Sequence, residues 1–204
     1  MDCRFRTNSY NFIFLVRNGM VGLMEKSMLA AFLISLGVAV NLTLGPPLGP
    51  IFFSFGLLGV CVLDADLFTG KAGYWWRNQK VKLLFVLIGN VYWGWFFGWF
   101  IGATNPNLIP VALEKLVMIN PVAYVIKSFF CGAIMYICVE IFKKGSPMGI
   151  FLGVPLFIFC GFQHSIANAI TYGVAHILPH FPLLMLCAMG NCAGAVFINL
   201  LSEE

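Results

Sequence analysis

The sequence predicts an all-α membrane protein whose six transmembrane helices form an inverted 3+3 repeat, with the second and fifth helices broken. Three observations predict this fold class: an apolar composition, six apolar stretches long enough to cross a bilayer, and polar motifs that recur in both halves. Hydrophobic residues make up 60% of the 204 residues and charged residues 10%, and the mean hydropathy is +0.91. Soluble domains average about 25% charged residues, so the composition indicates an integral membrane protein.

The predicted spans follow from the length of the apolar stretches. A helix needs about 20 apolar residues to cross the hydrocarbon core. The sequence supplies six such stretches, separated by short polar breaks, at residues 27–46, 51–70, 81–103, 122–142, 147–175 and 181–201. One transmembrane channel domain over 27–201 is therefore expected, flanked by an N-terminal segment of residues 1–26 and a tail of residues 202–204.

The distribution of basic residues predicts the orientation of the chain. Basic residues precede the first span and follow the second and the fourth, and with six spans these positions share one side of the membrane. The positive-inside rule assigns that side to the cytoplasm, so both termini are predicted to be cytoplasmic, in the cell's inner (plasma) membrane. Because the basic residues are scattered among helix ends, a nucleic-acid partner is not expected; the lipid bilayer is the expected partner.

Two pairs of motifs indicate an internal repeat. The second span ends in DADLFTG (64–70) and the fifth carries GFQHSIAN (161–168); the third contains Gly89-Asn90 and the sixth contains Gly190-Asn191. After three spans the chain enters the membrane from the opposite side. Two similar halves of three spans each must therefore be oppositely oriented. In such repeats the discontinuous helices at matching positions carry the substrate path. The second and fifth spans are therefore predicted to be broken and to form the site.

Polar residues inside these two spans are the candidate site residues, because an ionisable group in a membrane is costly. His164 can exchange a proton near neutral pH or donate a hydrogen bond, although a neutral imidazole bonded to a neighbouring carbonyl is the structural alternative. Thr69 offers a hydroxyl, or is simply bonded back to its own helix. Gln163, Ser165 and Asn168 are predicted to satisfy the backbone exposed at the break.

The remaining motifs favour packing over chemistry. Seven cysteines lie mostly inside spans, and no two of them form a CxxC pair, so they are predicted to be small buried apolar residues. His176 and His180 have helical i, i+4 spacing, but neighbouring prolines indicate a loop, so neither a metal nor a cofactor is predicted. Gly94, Gly98 and Gly102 form a seam that lets another helix approach closely.

The motifs resemble those of the formate/nitrite transporter family. The resemblance rests on ADLFTG (65–70), on the two Gly-Asn pairs and above all on FQHSIAN (162–168), which is similar to the family's FEHSxAN signature, and it covers about residues 27–201. It implies an aquaporin-like protomer that assembles as a homopentamer with a pore in each subunit. It also implies passage of small monovalent weak-acid anions, such as formate or nitrite, with coupling to protons through a central histidine, so that a proton would be supplied at or near His164.

The resemblance also implies the roles of individual residues. His164 and Thr69 would lie in a central polar chamber closed by two apolar constrictions, one formed by Leu67 with Phe53 and the other including Phe157. Asn168 belongs to the same predicted pore-lining set. An apolar ring disfavours a bare anion, so the solute would pass as the neutral acid. Lysines at the pore mouths are predicted to attract anions: Lys115 and Lys127 on the outer side and Lys71 on the inner side.

Several positions depart from the family pattern and leave alternatives open. The chain has Gln163 where many members have glutamate, Asp64 where they have glycine, and Lys71 where they have asparagine. Lys71 in the pore would favour a hydrosulfide-type anion. An aquaporin-like channel for neutral solutes is disfavoured because paired NPA motifs are missing. An enzyme is not expected, since adjacent histidine and serine residues on a helix do not face one another.

Overall fold

The computed structural model describes residues 4–116 and 120–202. Residues 1–3 and 203–204 of the predicted terminal segments lie outside the described residues. Within the described ranges the chain forms nine α-helices. These are α1 (Arg4–Leu44), α2 (Leu48–Val62), α3 (Phe68–Trp75), α4 (Lys80–Thr104), α5 (Leu108–Lys115), α6 (Pro121–Lys143), α7 (Met148–Phe159), α8 (Ser165–Val174) and α9 (Phe181–Ser202).

In the described part of the chain, four stretches of helix are long and apolar enough to cross a membrane: Gly19–Leu44 of α1, and helices α4, α6 and α9. The last three match the predicted third, fourth and sixth spans to within one residue at each end. Helix α1 is much longer than the predicted first span, because it is continuous from Arg4 to Leu44. These apolar helices confirm that the chain is an integral membrane protein.

The second and fifth apolar stretches each form two short helices, as predicted. Helix α2 ends before Asp64 and helix α7 ends before Gly161, and these two residues have left-handed backbones with φ of +45° and +64°. The turns after them are matched: Ala65 N–H donates to Val60 O (3.0 Å), and Phe162 N–H donates to Phe157 O (2.9 Å). A left-handed residue just past a helix end lets the chain satisfy the last carbonyls and leave the helix axis.

Helix packing places the second half of each broken pair against a continuous helix. Helix α8 packs along α4, α3 packs along α9, and α6 packs along α9. The predicted glycine seam of α4 is confirmed: a Cβ on Gly98 would overlap the carbonyl of Ile170, and one on Gly102 would overlap that of Val174. Glycine is required there because the backbones of α4 and α8 are in direct contact.

Candidate functional site

Asn90 of α4 holds the chain at the first break. Its Oδ1 accepts a hydrogen bond from Phe68 N–H (2.8 Å), at the start of α3. Its Nδ2 donates to the carbonyls of Ser27 (2.9 Å) and Asp66 (3.0 Å). Asn90 is fully buried. One side chain thus satisfies three backbone groups at a depth where water would otherwise be needed.

Asn191 of α9 makes the same three bonds at the second break. Its Oδ1 accepts from Ser165 N–H (2.9 Å), and its Nδ2 donates to the carbonyls of Ser128 (2.8 Å) and Gln163 (2.8 Å). The Gly-Asn pairs were visible in the sequence as a repeated motif. Their role was missed, because the backbone groups that they bind are distant along the chain.

The residues expected to satisfy the second break do so only in part. Gln163 Nε2 donates to the carbonyl of Gly161 (3.2 Å), as predicted. Asn168 Nδ2 instead donates to Tyr124 Oη (3.0 Å) and Gln163 Oε1 (3.0 Å), and Ser165 Oγ is buried without a hydrogen-bond partner among the described residues. The prediction was wrong for Ser165 and Asn168, because Asn191 already occupies the exposed backbone groups.

His164 and Thr69 meet where the two breaks face each other. His164 Nε2 lies 3.0 Å from Thr69 Oγ1, and His164 Nδ1 accepts a hydrogen bond from Ala167 N–H (3.1 Å). Because Nδ1 uses its lone pair as an acceptor, the bonding pattern assigns the proton of the neutral ring to Nε2, which donates to Thr69. The hydroxyl proton of Thr69 is then free to donate to another group. His164 and Thr69 are 2% and 1% exposed.

Two phenylalanines cover this polar pair. The rings of Phe53 on α2 and Phe157 on α7 are in edge contact, with centroids 6.0 Å apart, and the Phe157 ring stacks on the imidazole of His164 at 5.8 Å. Both phenylalanines are buried. The two rings therefore lie beside the hydrogen-bonded pair, with Phe157 in direct contact with His164.

Two cavities approach this region from opposite ends of α6. The His164 cavity, of about 310 Å³, is lined by His164 together with Phe53, Phe157, Asn168, Lys115 and Lys127. The Lys71 cavity, of about 280 Å³, is lined by Leu67 and Lys71 and by Val139, Phe142 and Lys143 from the last turns of α6. In the structure Phe53 contacts Phe157, because α2 packs against α7. The resemblance instead implies that Phe53 and Leu67 form one constriction, but these two residues line different cavities.

The predicted anion-attracting lysines have different surroundings. Lys71 Nζ lies 3.1 Å from an Asp64 carboxylate oxygen and 3.3 Å from one of Asp66, so its charge is compensated. Lys115 and Lys127 have no carboxylate partner among the residues that the structure describes. Partial desolvation lowers the pKa of Lys115 below its ordinary value. The uncompensated positive charge therefore lies at the His164 cavity.

No protein-family model and no curated protein matches the sequence. Solved structures do match. A structure described as "Pentameric formate channel with formate bound" aligns with a TM-score of 0.74 at 16% identity, over 91% of this chain and 96% of that chain. A structure described as "FNT family ion channel" aligns with a TM-score of 0.72 at 21% identity, over 95% and 94%. The resemblance is confirmed at the level of the fold: this chain folds as the formate/nitrite transporter channels do.

Proposed function

We propose that the protein is a membrane channel for small monovalent weak-acid anions such as formate or nitrite. The observation that carries the proposal is the buried Thr69–His164 pair, hydrogen-bonded at 3.0 Å and capped by Phe157. A polar pair beside two aromatic rings supports a solute that is an anion at the polar pair and a neutral acid as it passes the rings. The similarity to a solved structure described as a formate channel supports the same substrate class.

The hydrogen bonds support different roles for Thr69 and His164. Thr69 lies outside the lining of the His164 cavity, so an anion must move inward from the cavity to the buried pair, where it accepts a hydrogen bond from the Thr69 hydroxyl, polarised by the Nε2–H of His164. Protonation of Nδ1 would remove the acceptor of the Ala167 N–H, so the ring acts as a hydrogen-bond donor while it stays neutral. The proton that neutralises the anion is taken up from bulk solvent on the side of the His164 cavity and is released to solvent on the far side, and the neutral acid crosses the Phe53 and Phe157 rings at a lower desolvation cost than the anion.

The same proposal covers the assembly and its setting. The matched bonds of Asn90 and Asn191 support six spans arranged as an inverted 3+3 repeat with broken second and fifth helices. The similar formate channel is described as pentameric, which supports a homopentamer here. The basic residues at helix ends support cytoplasmic termini in the plasma membrane. Because two carboxylates hold Lys71, its charge lends no support to a hydrosulfide channel.

The test is flux through purified protein in liposomes, comparing formate, nitrite, hydrosulfide, lactate and chloride over a range of pH, with His164→Asn alongside. Asparagine can still cap α8, so the variant should fold while formate or nitrite flux falls roughly tenfold or more, because the Nε2–H that polarises Thr69 is lost. Wild-type flux should rise as the pH falls, because the neutral acid becomes more abundant.

Two results would count against the proposal. Unchanged flux in His164→Asn at every pH would remove the histidine from the mechanism. Wild-type liposomes that pass water or glycerol but none of the anions would indicate an aquaporin-like channel instead.

A further inference from the structure

An apolar groove lies between α4 and α9, and α3 forms its floor. The groove has a volume of about 860 Å³, and α3 packs against both of the other helices. Phe68, the first residue of α3, and Leu83 of α4 are buried in the floor, whereas Leu84 of α4 and Met189 of α9 form exposed apolar rims. This surface, the Phe68 groove, is thus a deep apolar recess on the outside of the helix bundle.

The matched region in the second half of the chain is filled by the chain itself. Counting from the matched asparagines, Leu200 at the end of α9, which lines the groove, corresponds to Trp99 at the end of α4. The His176 ring stacks on Trp99 with centroids 5.4 Å apart, and Trp95 Nε1 donates to Ile177 O (2.9 Å). The linker between α8 and α9 therefore covers the end of α4.

The corresponding linker in the first half is too short to do the same. Residues 76–79 join α3 to α4, whereas residues 175–180 join α8 to α9, and α3 has 8 residues against 10 in α8. Trp76 is the residue of the short linker that lines the Phe68 groove. The space that the longer linker fills in one half is therefore open to the membrane in the other.

One end of the Phe68 groove carries a positive charge. Lys80, the first residue of α4, lines this end, and its Nζ lies 5.0 Å from the centroid of the Trp76 ring. Both residues are exposed, and Lys80 has no carboxylate partner within the described ranges. Tryptophan and lysine at a helix end mark the level of the lipid headgroups, and the N-terminal end of a helix also favours an anion. An amphiphile with an apolar chain and an anionic head matches this arrangement.

We infer that the Phe68 groove binds an anionic phospholipid, with one acyl chain along α4 and α9 and the phosphate at Lys80 and Trp76. The inference goes beyond the proposed function and holds whatever solute the protein passes. The acyl chain contacts Phe68, whose N–H binds Asn90 and whose neighbour in sequence is Thr69. The bound lipid therefore stabilises α3 at the point where this helix contributes to the site.

Native mass spectrometry of the detergent-purified protein tests the site with phosphatidylglycerol and phosphatidylcholine that carry identical acyl chains. The wild type should bind phosphatidylglycerol roughly fivefold more tightly, the effect expected for one lysine, and Lys80→Gln should abolish that preference. Ala193→Trp places a bulky ring in the groove and should remove most binding of both lipids. Because a bound ligand stabilises the folded state, phosphatidylglycerol should also raise the thermal midpoint of the wild type more than that of Lys80→Gln.

Two variants of exposed residues outside the groove are the matched controls, Lys144→Gln and Ala103→Trp, and both should bind lipid as the wild type does. Equal affinity of the wild type for the two lipids would overturn the inference, because Lys80 would then bind no headgroup. Retention of phosphatidylglycerol by Ala193→Trp as strong as that by Ala103→Trp would place the acyl chain elsewhere. A changed subunit number in Ala193→Trp, with lipid binding unaltered, would show instead that a second copy of this chain occupies the groove.

Discussion

At the scale of single residues, position in the fold decides what each polar side chain does. Thr69 and His164 are 95 residues apart in sequence and 3.0 Å apart in space. His164 has two tasks, since its Nδ1 caps the first turn of α8 while its Nε2 binds Thr69. The cap fixes the orientation of the ring, and the orientation presents Nε2–H to Thr69. His164 therefore caps the helix that follows the break and also forms the hydrogen-bonded pair with Thr69.

The hydroxyl of Thr69 is the group expected to contact the solute. Thr69→Val keeps the shape of the side chain but leaves the buried Nε2–H of His164 without an acceptor, which costs about 1–3 kcal/mol. We expect formate flux to fall roughly tenfold or more in the liposome assay, since 1.4 kcal/mol corresponds to about tenfold. Thr69→Ser, which keeps the hydroxyl, is the control. Equal flux in the valine and serine variants would contradict the assigned role.

At the scale of helices, two features hold the half-helices α3 and α8 in place. Each begins at a backbone N–H that is bound by a buried asparagine, and α8 lies in direct backbone contact with α4. Their short lengths, 8 and 10 residues, would leave them unstable in isolation, because helices shorter than about 12 residues are marginal on their own. Tertiary contacts therefore stabilise both half-helices.

Substitution of Gly98 should disturb the site from a distance. The methyl group of Gly98→Ala would overlap the carbonyl of Ile170, so α8 would have to move away from α4 and carry His164 with it. We expect a loss of stability of about 1–3 kcal/mol, seen as a lower thermal midpoint in detergent, together with reduced flux.

Gly22→Ala is the matched control for Gly98→Ala. A methyl group on Gly22 of α1 would meet no other atom within 4 Å in the described part of the chain. Alanine is the better helix former, so this variant should be slightly more stable than the wild type, by up to about 1 kcal/mol. A Gly98→Ala protein as stable and active as Gly22→Ala would show that α4 and α8 can separate freely.

At the scale of the whole molecule, both halves of the chain contribute to one site. Phe53 and Thr69 come from the first half, and Phe157 and His164 from the second. Each chain thus supplies both members of the polar pair and both phenylalanines by itself. A homopentamer of such chains would contain independent pores.

Independent pores make a simple prediction for mixed assemblies. When wild-type and His164→Asn subunits are combined in known proportions, formate flux should fall in direct proportion to the wild-type fraction. The subunit number and the composition of the mixed assemblies can be verified by native mass spectrometry of differently tagged subunits. A steeper fall, in which one variant subunit silences its neighbours, would indicate a pore shared between subunits.

Much of the fold and part of the site could be predicted from local sequence. The apolar stretches fixed the ends of α4, α6 and α9 to within one residue, and the motifs located both helix breaks. His164 and Thr69 were chosen as candidates because polar groups are rare and costly at that depth, and the structure brings them within hydrogen-bond distance. The two ion pairs of Lys71 were not predicted from the sequence, because residue spacing alone does not show which ammonium group Asp64 and Asp66 bind.

The sequence by itself determined that the chain lies in a membrane, where its long helices cross, and which chemical groups are available at the breaks. These properties follow from hydropathy and backbone preference, which act over a few neighbouring residues. Only the tertiary structure decided that Asn90 and Asn191 hold the breaks, that Phe53 meets Phe157, and that Asp64 and Asp66 bind Lys71. Those contacts join residues far apart in the chain, and they depend on how close glycine-lined helices can pack.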